Sequence, residues 1–255
     1  MLLAIDIGNT DTTLGVFEGD ELRNTWHTAT VIHRTADEHA ILLLNLLRNH
    51  GLDTRDIKEV ALCSVVPPLT SIYEEMFKSY FSISPLVVAA GVKTGVRICM
   101  DNPKEVGADR IVDTVAAHHL YGGPVIIVDL GTATTFDTIS EEGDYLGGAI
   151  APGMLTAAEA MFQRAAMLPH VELARPSHVI GTNTIDAMKS GIVFGYVTLV
   201  EGMVARIQRE LGTKTKVIAT GGYAELIAKE TKVIDEVNLN LTLIGLKLVY
   251  QMNKA

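Results

Sequence analysis

The sequence predicts an α/β protein of two tandem βββαβαβ units with mixed sheets, and three observations carry that reading. First, an apolar strand running into Asp-x-Gly and a cluster of threonines occurs twice: Leu2-Leu3-Ala4-Ile5-Asp6-Ile7-Gly8-Asn9-Thr10-Asp11-Thr12-Thr13 and Val125-Ile126-Ile127-Val128-Asp129-Leu130-Gly131-Thr132-Ala133-Thr134-Thr135. Second, Asp6 and Asp129 are 123 positions apart, as are Gly8 and Gly131, while the Glu-Gly-Asp turns at Glu18-Gly19-Asp20 and Glu142-Gly143-Asp144 are 124 apart. One inserted residue accounts for the difference. Third, each copy opens a triplet of short strands, which helical stretches and at least one further strand then follow. A repeat at half of 255 residues suits two domains, placed at 1–115 and 116–255, opposed across a cleft.

The elements follow in order. Residues 2–7, 12–17 and 21–28 read as three strands joined by tight turns. A helix over Ala36–Asn49 begins at Thr35 with Glu38 three residues on, a capping-box spacing, and Ala40, Leu43, Leu44 and Leu47 form its core face. Val60–Val66 reads as a buried strand stopped by Pro67-Pro68, followed by a helix over Leu69–Tyr80 and a strand over Pro85–Ala90. Residues 91–106 read as irregular, and a helix from Gly107 to Leu120 leads to the second unit. There, strands at 125–129, 134–139 and 145–150 repeat the opening triplet. Helices follow from Pro152 to Gln163 and over Ile185–Leu211, the latter interrupted by glycines, then a strand at Val217–Ala219 and a helix over Tyr223–Lys229. A last helix over Leu239–Met252 is expected to pack on the first domain.

Composition narrows the function. A net charge of −9 argues against nonspecific nucleic-acid binding, which needs a basic face to displace counterions. An acidic chain that binds an anion must use local N–H donors, a helix N-terminus or a metal ion. Two cysteines, Cys63 and Cys99, make neither a disulfide framework nor a metal cluster, so the chain reads as cytoplasmic, with Cys63 a buried structural thiol. No uninterrupted apolar run of about 18 residues suggests a membrane span. His118-His119 cannot readily chelate one ion, since neighbours on a helix point about 100° apart, and the other histidines show no ligand spacing. No Gly-x-x-x-x-Gly-Lys-(Ser/Thr) loop occurs.

In Asp6-Ile7-Gly8-Asn9-Thr10, glycine lets backbone approach phosphate oxygens, while Asn9, Thr10, Thr12 and Thr13 supply donors. A plain hairpin turn is the competing reading. The second copy weakens it, because two carboxylates at matching strand ends are suited to holding a cation. Gly107-Ala108-Asp109-Arg110 stands at a helix start, where free N–H groups favour anions. There Asp109 can serve as a base for an alcohol, and Arg110 can clamp a carboxylate. A simple helix cap competes with that assignment.

Five segments together resemble the type III pantothenate kinases of the actin/hexokinase/Hsp70 ATPase superfamily: Asp6-Ile7-Gly8-Asn9-Thr10, Asp101-Asn102-Pro103, Gly107-Ala108-Asp109-Arg110, Asp129-Leu130-Gly131-Thr132-Ala133-Thr134-Thr135 and Gly148-Ala149-Ile150-Ala151-Pro152-Gly153. The resemblance implies tandem ribonuclease H-like (actin-like ATPase) domains and ATP-dependent phosphorylation of the 4′-hydroxyl of pantothenate, the first step of coenzyme A synthesis. It implies that Asp6, Ile7, Gly8, Asn9, Thr10, Asp11, Thr12, Thr13 and Thr132 bind ATP. Gly107, Ala108, Asp109, Arg110 and Thr184 would contact pantothenate, with Asp109 as catalytic base. For Thr184 a helix-cap role competes.

By the same resemblance Asp129 would bind a monovalent cation, potassium or ammonium, beside Mg²⁺. Gly221-Gly222 resembles the adenosine motif, and the chain would form a homodimer to which the helices around Gly191 and Gly195 contribute. Where relatives commonly carry tyrosine before the acidic-Asn-Pro segment, this chain has Met100. Two other readings are another small-alcohol or sugar kinase of the superfamily, and a noncatalytic regulator. The intact Asp6, Asp109 and Asp129 speak against the latter.

Overall fold

The computed structural model describes residues 1–254. The chain divides into two compact units: residues 1–95, 102–116 and 242–254 form the first, and residues 96–101 and 117–241 the second.

In the first unit, β1 (Leu2–Ile7), β2 (Asp11–Glu18), β3 (Glu21–Ala29), β4 (Glu59–Ser64) and β5 (Leu86–Val87) form one sheet in the order β3-β2-β1-β4-β5. The three opening strands are antiparallel neighbours, whereas β4 lies parallel to β1 and β5 parallel to β4. The central strand β1 is an almost unbroken apolar run because both faces are covered, the usual mark of a parallel-paired interior strand. Leu3, Ile5, Leu62, Leu43, Leu47, Met76 and Phe77 make up much of its core, with α1 (Ala36–Asn49) and α2 (Pro67–Tyr80) supplying the last four. Both halves of the expected capping box form at Thr35 and Glu38.

Pro67 and Pro68 do not stop a strand. They occupy the first turn of α2, where proline's missing N–H has no helical partner to lose, and β4 has already ended at Ser64.

In the second unit, β6 (Val125–Leu130), β7 (Ala133–Ile139), β8 (Tyr145–Pro152), β9 (Lys216–Thr220) and β10 (Glu236–Val237) take the order β8-β7-β6-β9-β10, the same connectivity as the first sheet. The register refines the repeat. Asp6 pairs with Thr13, but Asp129 pairs with Thr135, so the second Asp-x-Gly loop is one residue tighter. Both copies carry a bulge at the equivalent place, between Val16 and Phe17 and between Thr138 and Ile139. The length is recovered in the following turn, which spans residues 140–144 in place of 19–20.

The helices of this unit are α4 (Met154–Arg164), α5 (Thr184–Leu211) and α6 (Ala224–Ala228). Glycines do not interrupt α5, which runs unbroken for 28 residues from Asn183 as N-cap to a left-handed Gly212. By length and composition it could cross a membrane. Here its Ile192, Val193, Val197, Val200 and Val204 join the core with Ile126, Val128 and Phe136 of the sheet.

Helices α3 (Ala108–Tyr121) and α7 (Leu241–Asn253) complete the first unit, α3 through Ala116 and α7 from Thr242. A Cβ at Gly245 of α7 would stand 2.1 Å from the Val112 carbonyl oxygen of α3, so the two backbones touch there. Lys247 of α7 donates to Asp20 in the β2–β3 turn at 3.0 Å. Gly245→Ala is expected to force these helices apart and destabilise the unit by about 1–3 kcal/mol. Thermal unfolding of the variant measures this.

Candidate active site

Asp6 lies one residue before the C-terminal end of β1, beside Cys63 of β4 and opposite Thr13 of β2. The loop it precedes is closed by Gly8 N–H donating to the Asp11 carbonyl at 3.0 Å, and Thr30 Oγ1 donates to the Gly8 carbonyl at 2.8 Å. Asn9, Thr10 and Asp11 are exposed and Thr12 is buried, its hydroxyl 2.9 Å from that of Thr30. The loop therefore offers exposed donors on a pinned backbone.

Asp109 stands in the first turn of α3, and its Oδ1 accepts the Arg110 N–H at 2.8 Å. Gly107, Ala108, Asp109 and Arg110 are all partly exposed. The first unit thus brings together two of the candidate segments. Burial, and then the negative charge of Asp109, push the Asp6 carboxyl up to about 7. Some of the Asp6 side chain still reaches solvent, yet packed protein around the carboxylate leaves too little water to balance its charge.

Two groups gain their place only in the folded chain: Cys63, which the sequence presents simply as a buried structural thiol, and Asp113, which it does not mark out. The Cys63 thiol donates to Asp6 Oδ1 at 3.3 Å. Asp113 is buried one helical turn beyond Asp109, and its charge reaches Cys63. The i, i+4 spacing on α3 was a usable signal for Asp113; nothing local announced the contact of Cys63 with Asp6.

In the second unit, Asp129 sits one residue before the end of β6, beside the turn that follows β9. A Cβ on Gly221, whose φ is +89°, would lie 2.3 Å from Asp129 Oδ1. Only glycine tolerates both that backbone and that neighbour. Gly222 is exposed, with nothing within 4 Å of the point where a side chain would begin. Thr132 is exposed, and its carbonyl accepts the Gly153 N–H and the Thr156 hydroxyl, so the Gly148–Gly153 segment braces this loop.

On the same sheet, buried Asp137 accepts hydrogen bonds from Thr135 Oγ1 at 2.9 Å and Tyr145 Oη at 2.7 Å. Tyr145 also joins the 96–101 segment, bonding Arg97 and Cys99 through its backbone. Met100 packs with its sulfur 3.2 Å from where a Gly147 side chain would begin.

Thr184 is not the cap of α5. Asn183 accepts the Asp186 N–H at 2.9 Å, leaving Thr184 as the first helical residue. With Thr182, Asn183, Met161, Leu168 and Met188 it lines an open depression of about 500 Å³. At Gly191 and Gly195 nothing in the chain comes within 4 Å of a methyl placed there, so no contact within the chain calls for glycine at either position. His118 instead supports the 140–144 turn, its Nε2 3.1 Å from the Glu141 carbonyl.

Among the described residues no group of three or more His, Cys, Asp or Glu can hold a metal ion by itself.

Repeated sheets of this connectivity, each with an Asp-x-Gly loop near the end of its central strand, have the architecture of the actin-like ATPase fold. Solved structures agree: a protein from Campylobacter jejuni described as a Baf family transcriptional activator superposes with a TM-score of 0.62 at 19% identity, over 99% of this chain and 98% of that one. The activator of 2-hydroxyisocaproyl-CoA dehydratase from Clostridium difficile, with bound ADPNP, gives 0.57 at 11% identity over 99% and 97%. The chain belongs to the type III pantothenate kinase family, whose model matches residues 2–206. Type III pantothenate kinases from Dehalococcoides mccartyi and Moorella thermoacetica are 58% and 53% identical to it, covering 100% and 99% of this chain and 98% and 100% of theirs. The one from Myxococcus xanthus is 52% identical over 100% of both. It is an ATP-using kinase of coenzyme A biosynthesis, with pantothenate as the other substrate.

Proposed function

We propose that the enzyme transfers the γ-phosphoryl group of ATP to the 4′-hydroxyl of pantothenate, with Asp109 as the base. The observation that carries this assignment is the nearness of Asp109 to Asp6, close enough for one carboxylate's charge to raise the other's affinity for a proton. A phosphate-facing carboxylate and a partly exposed carboxylate at a helix start are the two acidic groups an in-line transfer to an alcohol requires. In this scheme Asp6 through Thr13 bind the ATP phosphates, and Thr132 touches the nucleotide. Asp6 would hold Mg²⁺, which when bound would neutralise charge at the phosphates. Asp109 accepts the hydroxyl proton as the bond from the pantothenate oxygen to the γ-phosphorus forms and the bridging P–O bond to ADP breaks, ADP leaving with that oxygen. Gly107, Ala108, Arg110 and Thr184 orient pantothenate, Arg110 by pairing with its carboxylate.

Asp129 seats potassium or ammonium. Gly221→Ala, which displaces Asp129, is expected to raise the cation concentration for half-maximal rate on the order of tenfold, a strain of one to a few kcal/mol at one ligand. A potassium titration of the variant reads this directly. The enzyme acts as a cytoplasmic homodimer. The open face at Gly191 and Gly195 and exposed Ile150, Leu155 and Ile185 support a second copy against the second unit.

A coupled assay for ADP with pantothenate and other small alcohols and sugars, with and without potassium or ammonium, tests the whole scheme. Turnover restricted to pantothenate and dependent on the cation is the expected result. Equal turnover of a sugar would move the enzyme to another branch of the fold.

A further inference from the structure

We propose that Cys63 is a positioning residue for the phosphate-binding carboxylate: its thiol donates to Asp6 Oδ1 and holds that carboxylate in one orientation against the repulsion of Asp109. The inference rests on the assignment of Asp6 to the ATP phosphates. Cys63 is fully buried on β4, and the parallel register sets it directly beside Asp6 on β1. Its sulfur is 3.3 Å from Oδ1, the Asp6 side-chain contact this register creates.

Burial, with Asp6 and Asp109 adding to it, raises the thiol well above its ordinary range, so it remains S–H and a donor throughout the physiological range. A thiol is a weak donor. It can therefore orient the carboxylate without holding it so firmly that a cation could not compete. Repulsion between Asp6 and Asp109 gives the carboxylate a reason to turn away, and the thiol contact opposes that rotation.

Two substitutions separate a donor from a space-filler. If Cys63 acts by donation, Cys63→Ala lowers kcat roughly 3–10-fold, the range expected for one hydrogen bond of ordinary strength from a weak donor. Cys63→Ser then restores most of the rate and Cys63→Val does not, while KM for pantothenate changes little and thermal unfolding confirms that each variant is folded. Packing alone predicts the reverse, rescue by Val and not by Ser, and would overturn the proposal.

A readout independent of activity is the S–H stretching band in the infrared, recorded in a Cys99→Ala background so that Cys63 supplies the band alone. Asp6→Ala should move it to higher frequency; an unmoved band overturns the proposal. An inactive Asp6→Ala with a normal Cys63→Ala overturns this inference only. A fully active Asp6→Ala overturns the assignment of Asp6 to phosphate as well.

Discussion

Asp109→Asn is expected to lower turnover by roughly 10²–10⁴-fold, the usual range for losing a general base. Asparagine preserves the size of the side chain and its acceptor toward the Arg110 N–H, so the start of α3 should survive. What disappears is the capacity to take the hydroxyl proton as the phosphoryl group arrives. Because that interaction matures only in the transition state, kcat should fall while KM for ATP and pantothenate moves little. Steady-state kinetics with both substrates varied gives the split, and product-ADP binding by calorimetry checks that the nucleotide site persists. A near-normal kcat would remove Asp109 from the chemistry. The substitution also deletes one of the charges that hold Asp6 partly protonated, so it should make Asp6 easier to ionise.

Asp6→Asn is expected to stabilise the nucleotide-free protein at alkaline pH while abolishing most activity. The sign follows from linkage. The Asp6 carboxyl is raised from 3.8 to about 7, so the folded state holds its proton after the unfolded chain has released it. Stability from that neutral group is fully present below about pH 4, declines between 4 and 7, and is lost above 7. The ceiling is about 4 kcal/mol, reduced by whatever water reaches the partly exposed side chain. Asparagine carries no such charge, so the unfolding temperatures of the two proteins should coincide near pH 4. They should separate by up to roughly 10 °C at pH 8, the variant higher. A gap independent of pH would show that ionisation of Asp6 is not its source. Mg²⁺ with ATP should narrow the gap, since the native charge then has a partner. A group costly to stability and needed for function is a common trade at catalytic sites.

Both residues expose how far local signals reach. The strands, the capping box at Thr35 and Glu38, and the doubled Asp-x-Gly loops were readable because their causes lie within a few positions: alternating or continuous apolar runs, a capping hydroxyl, a glycine turn. The same kind of local reading failed where a longer-range partner decided the outcome. Pro67 and Pro68 fit either a strand stop or a helix start, and the end of pairing at Ser64 settles which. Glycines in α5 predict breaks by propensity, but the burial of Ile192, Val193 and Val197 keeps the helix whole. Thr184 and Asn183 are both good cap residues, and only the position of the first helical turn chooses Asn183.

Sequence alone determined the tandem α/β units with their repeated opening triplets, the family, and a set of candidate carboxylates, since a repeated motif and ordered segments need no knowledge of what touches what; the short edge strand β10 was not read from it. Tertiary structure decided the environment of those carboxylates. Cys63 meets Asp6 through the pairing of β1 with β4, Gly221 is confined by Asp129, and Asp137 is held by Tyr145. Each contact joins residues from different strands or turns. Strand register is set by packing of the whole sheet, and side-chain periodicity along one strand does not name its neighbour's residue. Proton affinity in turn depends on burial and nearby charge, quantities that exist only once the chain has folded.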